Sequence, residues 1–458
     1  MNVPFDVAVR AMKAQVLNAD RAPADLRVVS DTRTIKPGDT FLALCGERFD
    51  GHAFIGEALA KGAAALIVDE AGAAPVDATM LVVENTLRAY MTLARAARER
   101  FRGRVLAITG SAGKTTTKVF SSQLLATRYG NRVLASPANE NNEIGVAKLL
   151  LAATNEAHDV LVVEMGARHY GDIAVLTAMA KPDVSILTNV GDAHLEIMGS
   201  RERLEDTKWS VFENVPWAIL NASDEASQRR ASSLERVPHW FYAGARDDRI
   251  PDYPSVTALL GRGRFVNVRD RAVHECDVDV RVPGRHNRAN LAAAAAGALE
   301  LDADFAALAR ALEGVSLPKG RYEAIEAGNI RLIYDAYNAN AAGMMAALDA
   351  FSEEPAGRRI ALLSSMAELG TESRELHRRV GAHAATSNID VALFGGDFAD
   401  ELAHGARSAG FSSERIVCFA TNEQAAAWIR ANAREGDAVL LKGSRKYTLE
   451  DIVEELRT

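Results

Sequence analysis

The stretch AITGSAGKTTTKVF, residues 107–120, places Gly110 and Gly113 directly ahead of Lys114, Thr115 and Thr116. It follows an apolar run, RVLAIT (104–109), and leads into a segment of helical character. Glycines at a strand-to-helix turn let backbone N–H groups face an anion, and the helix start adds positive potential. A lysine at position 114 can reach terminal phosphate oxygens, and Thr115 can offer its hydroxyl to Mg2+. The loop Gly110-Ser111-Ala112-Gly113-Lys114-Thr115-Thr116 is therefore the expected phosphate cradle. It is short by the usual rule, however. The common loop G-x-x-x-x-G-K-[ST] would need its first glycine at position 108, which is Ile108. A phosphate loop alone does not choose between motor, kinase, switch and ligase.

The strand ends downstream narrow the choice. DVLVVEMG (159–166), DVSILTNVG (183–191) and WAILNAS (217–223) read as buried strands whose carboxyl ends feed loops. Glu164 ends VLVVE. One carboxylate, one hydroxyl and phosphate oxygens make a usual Mg2+ set, with a helix cap as the alternative role. His194 lies in DAHLE, beside Asp192 and Glu196, on a loop at the same edge. Lys208, in EDTKWSVF, has apolar and aromatic neighbours. A buried ammonium must find an anion, lose its proton or be modified. On the residues alone, a surface helix lysine is the plainer reading.

A chain of 458 residues calls for two to four domains. Three regions emerge: 1–88, 89–316 and 317–458. In the first, FLAL (41–44), AALIV (64–68) and MLVV (80–83) read as strands around a helix at 52–63. The second holds the phosphate loop and ends in the alanine-rich helix 287–301. The third follows a Pro/Gly break at LPKGRYE (317–323). Its runs RLIYD, RIALLS, VALF, RIVCF and AVLLKG alternate with helical segments, a doubly wound α/β pattern. Net charge is −8, which argues against a broad nucleic-acid or anionic-membrane surface. The basic run from Arg95 to Arg104 is expected to be a solvated helix end. Three scattered cysteines, Cys45, Cys276 and Cys418, build neither a disulfide framework nor a zinc ribbon, and each is expected as a small buried hydrophobe. The first residues lack a signal-peptide pattern and no apolar run is long enough to span a bilayer, so a cytoplasmic enzyme is expected.

Taken together, these pieces resemble the Mur ligase family of ATP-dependent amide-forming enzymes, which uses the shortened loop G-x-x-G-K-[ST]-[ST]. The likeness runs through SDTRTIKPGDTFLALCGERFDGHAF (30–54), NENNEIGV (139–146), VVEMGARHYGDI (162–173), LTNVGDAHLEIMGS (187–200), PGRHNRAN (283–290), YDAYNAN (334–340), MAELGTES (366–373) and LLKGSRKYTLE (441–450). It is strongest to the member that adds D-alanyl-D-alanine to UDP-N-acetylmuramoyl-tripeptide. The resemblance implies a three-domain α/β architecture: a small N-terminal domain for the UDP substrate, a central P-loop parallel-sheet ATPase domain and a Rossmann-like C-terminal domain. It implies ATP, two Mg2+ sites and an acyl-phosphate route. Thr115, Glu164 and His194 would hold metal, together with Lys208 as a carbamate. Lys114, Glu164, His194 and Lys208 would be the catalytic set. Asn287, with His286 beside it, would meet the adenine, and Arg321 and Asp335 would reach ATP from the C-terminal domain. Ser30, Asp31 and Arg33 would lie near the uridine diphosphate. Asn338, Asn340, Lys442, Ser444 and Arg445 would face the cleft where the substrates meet. A monomer acting on small molecules, without nucleic acid or membrane, is implied as well. The chain departs from the pattern at Ala138, Glu140, Ala147, Ala341 and Ser364-Ser365. Those positions bear on acceptor choice, so a ligase of the same chemistry with another acid or amine stays open.

Overall fold

In the computed structural model, Arg104–Thr109 is a buried strand inside a nine-stranded sheet. The structure describes residues 2–46, 49–69, 78–191 and 195–457, with backbone only at 195 and 196. The sheet runs Val133–Ala135, Val160–Glu164, Arg104–Thr109, Val184–Leu187, Trp217–Asn221, His239–Gly244, Ser255–Leu260, Arg264–Arg269 and Ala272–Asp277. The first seven are parallel and the last two antiparallel. The four strands around the loop are rich in Val, Ile and Leu, as strands covered on both faces must be. After Arg104–Thr109 the chain builds first on one side and then crosses to the other. The carboxyl end of that strand is thus a topological switch point, where such sheets open a crevice.

The helix Lys114–Tyr129 covers one face, packed against Arg285–Glu300. The run of alanines from Ala292 to Ala296 is fully buried, which lets this second helix lie close to both sheet and neighbour. A smaller sheet precedes it, ordered Gln15–Leu17, Thr79–Val82, Ala65–Val68, Thr40–Leu42 and Val28–Val29. A third sheet follows, ordered Glu323–Ala327, Ile330–Asp335, Ala438–Lys442, Arg359–Ser364, Val391–Gly395 and Ile416–Cys418. Its last five strands are parallel. The chain passes to this third sheet through Ser316. There the Gln123 amide accepts from Ser316 N at 2.9 Å and donates to its carbonyl at 3.0 Å.

Two expectations need correction. Cys45 and Cys418 are exposed and Cys276 is half-buried, so none of them is a core residue. Cys45 and Cys418 sit at the ends of short strands, and Cys276 lies near the end of an edge strand, packed only partly against the core. Arg98, in the basic run, is tucked in, donating to the carbonyls of Ala180 and Lys181 at the end of a neighbouring helix and to Phe101 O at the end of its own. Among the described residues no helix is long and apolar enough to cross a membrane.

Candidate active site

The phosphate loop is locked to the next strand before any ligand arrives. Ser111 N donates to Asn189 O at 3.0 Å, and Ala112 N to Asn189 Oδ1 at 3.0 Å. The Thr188 hydroxyl donates to Ala112 O at 2.6 Å, and Gly191 N to Ser111 Oγ at 2.9 Å. Gly110 has φ +148°, and a Cβ there would fall 1.9 Å from Thr188 Oγ1. Only glycine fits beneath the loop. Gly113 is left-handed and hands the chain to the helix at Lys114. The first helical N–H groups have no acceptor within the helix and provide the anion-binding end. Lys114 Nζ rests on Gly110 O at 2.7 Å. Burial pulls its pKa down, Glu164 opposes that, and Arg321 adds to it.

Glu164 is fully buried at the end of its strand. Its Oε1 accepts from Thr115 Oγ1 at 3.1 Å and from Asn141 Nδ2 at 2.9 Å. Its Oε2 is buried without a hydrogen bond, while the Lys118 ammonium lies 3.1 Å away as a charge partner. Lys118 is itself buried and donates to Ala138 O. Glu164 is therefore no helix cap. It is a carboxylate with a free lone pair beside a threonine hydroxyl, the donor set a hard cation needs. Sequence reasoning missed Lys118 and Asn141. Lys118 stands one helical turn beyond Lys114, and that i, i+4 spacing was the available signal.

Lys208 is 1% exposed, so the surface reading fails. Its side chain forms no hydrogen bond or ion pair with any described residue, while its carbonyl accepts from Ser210 N. Burial, with a smaller push from Lys114, lowers its pKa to about 7. As an unmodified amine it is no ligand for a hard cation. His194 lies outside the described residues.

A cavity of about 1070 Å³ opens over the loop, between the central and third sheets. Ser111 to Thr116, Glu164, His286, Asn287, Arg321, Asp335, Asn338, Asn340 and Lys442 all line it. His286 is half-buried there, and burial drives its pKa down to about 4. Across the cavity, Lys442 Nζ is held by Asp335 Oδ2 at 3.1 Å and by the carbonyls of Asp335 and Asn338, each at 2.9 Å. Burial lowers its pKa and Asp335 counters. The Arg321 guanidinium sits 4.5 Å from the Tyr337 ring centroid, and Arg445 lies 5.7 Å from the same ring. Asn340 caps the helix Ala341–Ser352 through Gly343 N.

Among the described residues, seven expected site residues do not line this cavity: Gly110 beneath the loop, the buried Lys208, and Ser30, Asp31, Arg33, Ser444 and Arg445. Ser444 is buried at a turn, bonded to Ser365 O, and Arg445 stands outside. Ser30, Asp31 and Arg33 lie on the first unit. Asp31 takes Arg33 in four hydrogen bonds, which bring its pKa down to about 2. Ser364 and Ser365 are buried as well. Ser365 Oγ donates to Gly395 O and accepts from Phe398 N, so this departure from the pattern secures a loop and touches no part of the cavity.

Comparison with known proteins agrees with this architecture. Residues 27–101 match the family profile described as Mur ligase family, catalytic domain. Residues 108–298 match the Mur ligase middle domain, and 320–445 the Mur ligase glutamate ligase domain. The UDP-N-acetylmuramoyl-tripeptide–D-alanyl-D-alanine ligase of Synechocystis sp. is 33% identical, covering 99% of this chain and 97% of its own. A crystal structure of MurF from Acinetobacter baumannii superposes with a TM-score of 0.87 at 26% identity, covering 100% of this chain and 99% of that one. The MurF ligase of Thermotoga maritima, solved with ADP, superposes at 0.77 with 28% identity, covering 94% of this chain and 97% of that one.

Proposed function

The chain belongs to the Mur ligase family, and from that premise we propose that it joins D-alanyl-D-alanine to UDP-N-acetylmuramoyl-tripeptide at the expense of ATP, in peptidoglycan precursor synthesis. The observation that carries this is the single cavity, with a phosphate cradle on one wall and a buried lysine–aspartate pair on the other. An amine does not displace oxygen from a carboxylate. A carboxylate oxygen of the tripeptide attacks the γ-phosphorus, the bond to the β-phosphate oxygen breaks, and ADP leaves. The dipeptide amine then attacks the acyl carbon, and phosphate departs as the amide forms.

Each wall has its task. The loop amides and Lys114 hold the phosphates and offset the charge that gathers during transfer. Asn287 and His286 take the adenine side. Arg321 and Lys442 bring positive charge from the third unit, Asp335 orders Lys442 and reaches ATP, and Asn338 and Asn340 face the incoming amine. Ser30, Asp31 and Arg33 hold the uridine diphosphate. Ser444 and Arg445 shape the rim. Thr115 and Glu164 would ligate Mg2+, with His194 and a carbamylated Lys208 at a second ion. Bound Mg2+ neutralises phosphate charge and polarises the transferred group. The neutral amine favoured by the pKa of about 7 supports carbamylation of Lys208, since only an unprotonated amine adds CO2. A carbon-13 carbamate signal from labelled bicarbonate, absent in Lys208→Arg, is the expected result. A wild-type spectrum without it overturns that role.

We assign the units 1–88, 89–316 and 317–458 to UDP substrate, ATP and acceptor, and place the enzyme in the cytoplasm as a monomer acting on small molecules. The net charge of −8 supports the lack of a nucleic-acid or anionic-membrane partner. Phosphate release from ATP and UDP-N-acetylmuramoyl-tripeptide, with and without D-alanyl-D-alanine, tests the assignment. Release that depends on the dipeptide, with UDP-pentapeptide confirmed by mass, is expected. A folded, ATP-binding protein that forms no such product overturns it.

A further inference from the structure

We propose that Cys45, His52 and Asp50 form a binding site for one thiophilic divalent transition ion of the Zn2+ class, with Asp69 holding the imidazole from behind. The hairpin Cys45–Gly46 and Phe49–Asp50 rises from the strand Thr40–Leu42, and Asp69 directly follows the adjacent parallel strand Ala65–Val68. Both lie at the carboxyl ends of neighbouring strands, the edge where such sheets collect ligands. Gly51 turns the hairpin back with its N–H on Leu44 O at 2.8 Å. A Cβ there would stand 2.7 Å from the Leu44 backbone, so the close return needs glycine.

This return brings three donor atoms to one point. His52 Nδ1 is 2.7 Å from Asp50 Oδ1 and 3.3 Å from Cys45 Sγ, and the sulfur is 3.2 Å from the same oxygen. A tetrahedral zinc with ordinary bond lengths sets such atoms roughly 3.3–3.6 Å apart. Small rotations of the exposed Cys45 and Asp50 open the triangle that far. Behind it, His52 Nε2 meets Asp69 Oδ1 at 3.1 Å. An imidazole that faces a metal with one nitrogen and a carboxylate with the other is the usual support for such a ligand. The Cys45, His52 and Asp69 donor atoms all lie within 4.8 Å of one another.

The charge balance points the same way. Among the described residues no lysine or arginine forms an ion pair with Asp50 or Asp69, and the His52 imidazole lies between the two carboxylates. A Cys45 thiolate set against the Asp50 carboxylate and close to Asp69 calls for a positive centre. A metal provides one and expels the thiol proton as it binds. Thiolate and imidazole select Zn2+ or Co2+ over Mg2+. The site is therefore separate in chemistry, as in place, from the cradle at Glu164.

Untagged full-length protein stripped with a chelator is titrated with Co2+. One equivalent with a sulfur-to-cobalt charge-transfer band, displaced by Zn2+ and untouched by Mg2+, is expected. Cys45→Ser loses the band, while Cys276→Ser and Cys418→Ser keep it. Asp69→Asn keeps the band but weakens Co2+ binding about 10–100-fold. Independently of any variant, Zn2+ shields Cys45 from alkylation, read by mass. No band, a band that survives Cys45→Ser, or alkylation of Cys45 at the same rate with Zn2+ overturns the site. Unchanged affinity in Asp69→Asn overturns the part given to that carboxylate.

Discussion

Replacing Lys118 by methionine removes the charge partner of Glu164 and keeps the volume of the side chain. The pair is buried on both sides, Lys118 at 3% and Glu164 at 1% exposure, with 3.1 Å between Nζ and Oε2. Breaking a buried pair from one side costs about 3–5 kcal/mol, because the other charge stays buried and uncompensated. The Ala138 carbonyl also loses its donor. At about 2–4 °C per kcal/mol for a unit of this size, the midpoint of thermal unfolding falls by roughly 6–20 °C. Two further measurements separate charge from packing. Lys118→Met/Glu164→Gln should recover most of the loss, since no buried charge is left over. Mg2+ with nucleotide should raise the midpoint more in Lys118→Met than in the parent, because a cation at Glu164 replaces the missing ammonium. A single variant within about 0.5 kcal/mol of the parent, or a double variant no better than the single, would refute the reasoning.

Gly110→Ala forces a Cβ into the Thr188 hydroxyl. Calorimetry should show nucleotide binding weakened about tenfold or more, partly restored by adding Thr188→Ala. Ala138 has φ +42°, a conformation that costs an L-residue about 1–2 kcal/mol, so Ala138→Gly should stabilise by up to about 1 kcal/mol once glycine's extra unfolded freedom is counted. Chemical denaturation reads this directly. His286 has its pKa lowered from 6.5 to about 4, so between those values the unfolded chain binds a proton that the native state refuses. The contribution is complete above pH 6.5 and is lost as pH falls towards 4, by roughly 2–4 kcal/mol. His286→Gln should flatten that part of the urea-midpoint profile.

Much of this was legible because it rests on local rules. The strand at 104–109 and its glycine loop follow from an apolar run ended by small residues, and the five runs of the third region all became strands. The burial of Lys208 was not legible, because EDTKW has the composition of an exposed helix and only the packing around Leu204 and Thr207 encloses it. Lys118 was hidden for a similar reason. A second lysine on a helix reads as solvated until the tertiary fold lays Glu164 against it. The strands from His239 to Asp277 went unread, since polar residues such as Asn267 and His239 interrupt their alternation. His239 and Asn267 both contact Thr257 Oγ1, and His239 also bonds Glu300, so their polarity is met by partners far away in sequence.

The clasp between Gln123 and Ser316 has a mechanical meaning. Its fixed end is the helix that follows the glycine loop, and its free end is the chain just ahead of the third sheet. Any torque on the third sheet is therefore borne first by that helix, whose buried flank against Arg285–Glu300 gives it a stiff seat. Slack begins only beyond residue 316, so any swing of the third sheet would turn about an axle roughly 13 Å along the helix from the glycine loop. A side chain that cannot grip both backbone atoms, as in Gln123→Leu, would move that axle outward while leaving every residue of the cavity in place.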